Sequence, residues 1–476
     1  MAVALATTLL ACATCIPPAL ADFPPDYTQG EYLFILTSES DYTGGNYALM
    51  DRHAPWAHDD NLGQMCSDAV ARARDGLIYV INRWGGDNIQ VIDPQQSFDT
   101  ILQFSTGAGS NPQDICFVDD HRAFVTRYEE SDLWEVDPTT GEPTAVIDLS
   151  PLADADGIPE MLGMAIQEDR LFVGLQRLDR DYYWIPVPPS YLAVIDLADN
   201  SLIDMDLESP GMQGIALSSL CPNSWIVTDP LTGDLLVGQV GAYGVADGGI
   251  ERIDPRTGES RGMAVTEAAL GGDLNVWSTH DGMRAYAIVI GTDYSTKVEA
   301  FDLQTGASRG TVTSASEYAF SHLWVDLARA QLFVCDRSYA DPGIRIFDLR
   351  DHTPLVPQPI SVGLYPFWLC GMEGADAGLE DGAGPHASEP RLALFPQPAA
   401  GGATLCCTLS DGGEARLEIL DLQGRTIDRF RTTGAGGVWE VRWRPSDQQG
   451  LPSGVYWARL RHGSGTEVRK FQYLRH

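Results

Sequence analysis

Four arginines, Arg83, Arg127, Arg177 and Arg337, stand at the ends of short apolar runs, and Trp84 and Tyr128 directly follow the first two. A guanidinium offers its donors as a planar fork that fits a carboxylate or phosphate, and a neighbouring ring adds apolar contact area. Gathered on one rim, these six residues would form a positive mouth for a small anionic ligand or a protein. The competing reading pairs each arginine with a nearby carboxylate such as Glu129, Glu130, Asp132 or Asp179, and the acidity of the protein favours it. Tyr182, Tyr183 and Trp184 form a further aromatic group.

Metal chemistry has two candidate positions. His53, His58, Asp59, Asp60 and Asn61 form the densest polar cluster, with ligand types that suit a divalent ion. Asp154-Ala155-Asp156-Gly157 resembles the middle of a calcium loop, but Leu152 and Gly163 occupy what would be its first and twelfth places, so an EF-hand is excluded. His53, His58, Asp59, Asp154 and Asp156 are therefore the metal candidates, with Ca2+ the ion in question and a solvated turn the simpler account. Gly-x-Ser-x-Gly occurs twice, around Ser260 and Ser308, each copy starting four residues after an aspartate (Asp254, Asp302). A nucleophile elbow needs a strand before it and a helix after it. A pattern repeated at the same point of two consecutive units is turn grammar, so no catalytic residue is assigned.

The protein has 476 residues, with 31 Lys plus Arg against 66 Asp plus Glu and a formal net charge of −35. So acidic a protein is unsuited to nucleic acid or an anionic membrane. The charge is uneven: from Arg391 onward there are 12 basic and 8 acidic residues (+4), against 19 and 58 before it (−39). The apolar stretch from Ala2 to Cys15 and the small-x-small group Ala19-Leu20-Ala21 read as a signal peptide over residues 1–21, although a basic n-region is missing. Leu9-Leu10-Ala11-Cys12 offers a lipoprotein box as the rival. No later run reaches the roughly 18 apolar residues needed for a membrane span. The expected location is secreted or at the cell surface. Seven cysteines follow the leader (Cys66, Cys116, Cys221, Cys335, Cys370, Cys406, Cys407), several in apolar runs, which favours buried small hydrophobes over a disulfide framework.

Self-similarity is the strongest signal. A short apolar strand ending in aspartate recurs at Asp51, Asp93, Asp137, Asp196, Asp254, Asp302 and Asp348, spaced by 42, 44, 59, 58, 48 and 46 residues. Each unit offers a buried-type strand, a polar turn, the Asp-terminated strand and a Gly-containing turn. Short, evenly spaced strands with hardly any helical periodicity predict an all-β architecture, a seven-bladed β-propeller over residues 30–373. Ile78-Tyr79-Val80-Ile81-Asn82, Asn88 to Asp93 and Gly109-Ser110-Asn111-Pro112 resemble the YVTN-type propeller repeat. The fourth unit departs from it with an insertion from Leu178 to Ser190. Gly363 to Cys370 has an inner-strand signature without a following blade, and the first unit lacks an inner strand. Pairing the two would close the ring.

Residues 374–390 are rich in Gly, Ala, Pro and acid and read as a flexible linker. The strand patterns of residues 391–476 predict a small β-sandwich. Phe395-Pro396-Gln397-Pro398, Leu420 to Arg425, Ser453-Gly454-Val455-Tyr456 and Arg469-Lys470-Phe471 resemble the flagellar-hook-capping type of immunoglobulin-like domain, close to type IX secretion sorting domains. The resemblance implies a secretion machinery as partner and export or surface attachment as role. Gln397 and Trp443-Arg444-Pro445 depart from its usual pattern. The leading functional expectation is a non-catalytic exported propeller that binds a ligand or protein at one face. The alternative is a propeller enzyme, a lactonase-like hydrolase or metal-assisted lyase, which requires His53, His58, His280, His322 or acidic neighbours to converge at a channel mouth. A third reading, a structural adhesion module, requires no polar pocket.

Overall fold

The computed structural model describes residues 31–372 except 224 and, between 391 and 474, all but 396–398, 401–402, 410–412, 422–424, 435–436, 446–450 and 463–464. The leader, the 374–390 linker and the motif segments 396–398 and 422–424 lie outside the described residues.

Seven antiparallel sheets form a propeller, followed by two further sheets. The inner strands, in blade order, are Tyr365–Gly371, Ala69–Arg74, Pro112–Asp119, Met161–Gln167, Val227–Thr228, Asp273–Thr279 and Phe320–Asp326. Neighbouring blades meet along these strands, except at the blade 5–6 seam, where the second strand, Leu235–Gln239, makes the contact. Blade 1 is built from both ends of the ring: Tyr365–Gly371 pairs with Tyr32–Ser38, with Phe34 opposite Cys370 and Leu36 opposite Trp368. Closure removes two sheet edges that would otherwise invite pairing with other molecules. Blade 7 has three strands, and isolated bridges (Ile344 to Ile360, Phe347 to Pro354) stand in place of a fourth.

The recurrent aspartate has one job in all seven blades. Its side chain accepts the backbone N–H two residues on, at His53, Gln95, Thr139, Ala198, Arg256, Gln304 and Arg350. Such a turn satisfies an amide just where the ladder stops, which is why the strand ends there. The serines of the two Gly-x-Ser-x-Gly copies are fourth-strand residues whose hydroxyls donate to Glu251 and Glu299 on the third strand. Thr144 on Glu135 and Gln90 on Thr100 make the same cross-strand link in two other blades. Cys116, Cys221, Cys335 and Cys370 are buried.

The axis of the ring is filled by side chains. Arg72 of blade 2 donates to both oxygens of Asp114 of blade 3 at 2.9 Å, and both residues are buried. Asp114 also accepts the Met164 N–H of blade 4 at 2.9 Å. Trp225, just before the blade 5 inner strand, lies under the Arg72 guanidinium, whose Cζ is 3.3 Å from the ring centroid. Trp225 meets Trp368 of blade 1 edge-on at 4.8 Å, and Trp368 lies 3.7 Å from the His322 ring of blade 7. Six of the seven blades thus meet in one network.

In the C-terminal region, Arg391–Phe395, Ala403–Leu409 and Gly437–Trp443 form one sheet. Gly413–Leu420, Thr426–Gly434, Gly454–His462, Gly465–Leu474 and Ala399–Ala400 form the other. Leu417, Ile419, Val441 and Trp443 are buried together with Leu405, Ala458 and Leu460, as the alternation of apolar residues predicts.

Removing one partner of a buried ion pair leaves an uncompensated charge. We expect Asp114→Ala to destabilise the protein by about 3–5 kcal/mol in urea titrations, and the double variant Arg72→Met/Asp114→Leu to recover most of that loss. A single variant as stable as the native protein would contradict this role.

Candidate functional face

The loops joining second to third strands all emerge at one end of the blades, together with the links into the inner strands. Each of these seven loops carries an aromatic residue: Tyr42, Trp84, Tyr128, the group Tyr182, Tyr183 and Trp184, then Tyr243, Tyr294 and Tyr339. Tyr128 is mostly buried, its hydroxyl donating to Gln176 at 2.8 Å. The others are exposed, from 46 % at Trp184 to 85 % at Tyr183 and Tyr339. The remaining exposed ring among the described residues, Tyr318, lies in the link into the blade 7 inner strand, at the same end. The turns of the opposite face expose no Tyr, Trp or Phe among the described residues.

These rings are held at a conformational cost. Tyr42, Tyr183, Trp184 and Tyr294 have φ of 57–63°, the left-handed region that bulky side chains avoid. Each costs roughly 1–2 kcal/mol relative to an ordinary backbone, and an exposed ring recovers little of it through packing. Tyr243 and Tyr294 stack at 6.2 Å across the seam between blades 5 and 6.

The arginines divide. Arg83 pairs with Asp68 and also donates to Gln113 at 3.2 Å. Arg127 is buried, 2.7 Å from Asp132, with its Nε on the Thr106 carbonyl at 2.8 Å. Carboxylate pairing therefore holds for these two. Arg177 instead donates to the carbonyls of Pro189 and Ala153, at 2.5 and 3.4 Å, and anchors the blade 4 insertion. Arg337 donates to the Ser38 hydroxyl and the Tyr365 carbonyl, at 3.0 and 3.3 Å, and no carboxylate among the described residues pairs with it. Arg180, which sequence reasoning missed, holds the insertion down by pairing with Glu129 at 2.5 Å and Glu160 at 2.7 Å. Burial pushes Glu160 up to about 7, outweighing the Arg180 charge beside it.

The metal candidates do not come together. His53 sits in a turn of the opposite face against Asp51 and Arg329. His58 and Asp59 pair with Met50 and Leu49 at the outer edge of blade 1. Asp154 and Asp156 lie on the aromatic face, where burial and then the Asp156 carboxylate raise Asp154. Among the described residues no three His, Cys, Asp or Glu side chains converge as metal ligands would. His280 and His322 stand in different blades. His322 is buried at the axis, accepts the Leu369 N–H at Nδ1 and is held down at about 3 by desolvation, far from where a general base works at neutral pH. His280 faces Trp324, with ring centroids 6.1 Å apart.

The signal for the loop aromatics was present in the sequence. Measured back from the terminal aspartate, the ring stands nine residues away in four units, eight in the sixth and eleven in the fifth. In the fourth, the insertion places its rings 12–14 residues away.

No family model matches this protein, and no curated protein matches it. Solved structures resemble it at low identity. PorZ, an essential bacterial surface component of the type-IX secretion system of Porphyromonas gingivalis, is 14 % identical with a TM-score of 0.44. That match covers 90 % of this chain and 63 % of the other, so this chain spans less than two thirds of that structure. A streptogramin B lyase is 13 % identical, TM-score 0.44, over 64 % of this chain and 88 % of the other. A protein from Lactobacillus plantarum is 12 % identical, TM-score 0.49, over 71 % and 98 %. The likeness is one of strand architecture, and what those proteins do remains a property of each.

A pH dependence follows from the carboxyls behind this face. Glu267 accepts the Gly248 and Leu274 N–H groups at 2.9 and 2.7 Å, and burial pushes it up to about 7 from an ordinary 4.5. A raised carboxyl holds its proton in the fold after the unfolded polypeptide has lost it. Its contribution is complete below pH 4.5 and is lost as pH rises through 7. The melting temperature should fall between these limits, and Glu267→Gln should flatten that fall. An unaltered slope in the variant would contradict the assignment.

Proposed function

We propose that this protein is an exported, non-catalytic binding module whose aromatic loop face engages a protein partner. The observation that carries the reading is the recurrence of an aromatic in all seven second-to-third-strand loops, four of these rings on left-handed backbone. Strain that does not help the fold is retained for something outside it. Tyrosine and tryptophan give large, rigid, amphipathic contact area at small entropic cost, and both dominate binding hot spots. The Gly, Ser and Asp residues around them supply turn geometry and hydrogen bonds. Among the described residues, the separate positions of His53, His58, His280 and His322 and the hydrogen bonds of Ser260 and Ser308 favour this reading over the enzyme alternative. In this reading the YVTN-type repeats form the rigid ring. The leader of residues 1–21 and the sorting-type resemblance of residues 391–476 support export, with the sandwich meeting a secretion or surface-attachment machinery.

Tyr42→Asn and Tyr294→Asn tolerate positive φ better than tyrosine, so the double variant should melt no lower than the native protein. A photoreactive phenylalanine analogue at Tyr339 should give a discrete crosslinked species with surface proteins of producing cells, absent from the double variant. The same analogue at Arg256, on the opposite face, should give none. Identical products from both positions, or none from either, would overturn the reading.

A further inference from the structure

Arg177, like Arg337, lacks a carboxylate partner among the described residues, but its fork is spent on backbone carbonyls and its Nε is buried, which is not so for Arg337. The Arg337 guanidinium lies among three rings, with Cζ 5.2 Å from Tyr42, 5.5 Å from Phe367 and 5.8 Å from Tyr365. Nη1 makes both of its protein hydrogen bonds, to Ser38 and Tyr365. Nε and Nη2 have no hydrogen-bond partner among the described residues and are not fully buried, which leaves that edge of the fork available. In a protein with 66 acidic residues and 31 basic ones, an arginine without a carboxylate is the exception. Arg83, stacked at 5.8 Å against the same Phe367, is already neutralised by Asp68.

We propose that Arg337 is a carboxylate-binding point within the aromatic face, a proposal that rests on the reading of that face as a binding surface. The Nε–Nη2 edge is the geometry that takes a carboxylate through two parallel hydrogen bonds. The rings exclude water from one side of the pair and offer apolar contact to whatever carries the acid. The charge of −35 repels polyanions, so the fitting group is a single carboxylate on an otherwise neutral, apolar or aromatic ligand. The free C-terminus of a polypeptide ending in an apolar residue and a free aromatic acid share that chemistry.

The test uses calorimetric titration of the full-length protein with four probes: N-acetylphenylalanine, its amide, and a decapeptide ending in Ala-Phe with a free or an amidated C-terminus. Amidation should weaken binding by about tenfold or more, as should Arg337→Ala, the range expected for losing a charge-assisted pair. Arg337→Lys should keep part of the affinity. Ser38→Ala, which removes an Nη1 contact and leaves the open edge, should bind as the native protein does. Tighter binding of the free peptide than of the small acid assigns the carboxylate to a protein terminus, and equal binding assigns it to a free acid. Equal binding of acids and amides, no binding up to about 10 mM, or an unaltered affinity in a folded Arg337→Ala would overturn the proposal. If crosslinking from Tyr339 persists in Arg337→Ala while the acid probes show no preference, the carboxylate point falls and the binding face stands.

Discussion

The Arg72–Asp114 pair at the axis is the interaction on which the ring most depends. It joins two inner strands directly, a third through the Met164 N–H, and three more through Trp225, Trp368 and His322. A propeller whose inner strands approach one another is left with polar backbone and side chains around a narrow axis. Here that space holds a desolvated ion pair and closely packed rings. Such a network is costly when half-satisfied and rigid when complete. Together with the strand pairing that closes blade 1, it fixes the relative position of seven loops.

In the proposed reading recognition takes place at the loop ends, because side chains occupy the axis. The fold is economical there: third and fourth strands are tied by the repeated aspartate turn at one end, leaving the second-to-third-strand loops at the other end free to vary. Six residues separate the strands in blade 1 and fifteen in blade 4. Strained aromatic residues on so rigid a support lose little freedom on binding, which is where preorganisation gains affinity. Arg180 shows how even the long insertion is held, pinned to Glu160 within its own blade and to Glu129 of its neighbour.

Much of the fold was legible because it is periodic. The aspartates at 42–59 residue spacing mark the third strand of each blade, and Gly363 to Cys370 marks the closing strand. Local sequence carried these because an aspartate turn is a two-residue event. The site was legible only in part. Arg83 and Trp84 could be placed on a loop, but whether Arg83 met Asp68 or Arg337 met a carboxylate depends on strands 15 to 299 residues apart. Trp225 reaching across the axis is invisible to any local pattern. His53, His58 and Asp59 are neighbours in sequence, but the first sits in a turn and the other two on an edge strand, a separation that local sequence does not reveal. The ring of aromatics was within reach once the units were aligned on their aspartates.

The central claim is that one face of this ring, and not the other, is a contact surface. Hydroxyl-radical footprinting on producing cells, compared with the purified protein, tests it directly. Protection should concentrate on Tyr42, Trp84, Tyr243, Tyr294 and Tyr339, with His53 and the opposite-face turns labelled equally in both states. Protection spread evenly over both faces, or none at the five rings, would contradict the account.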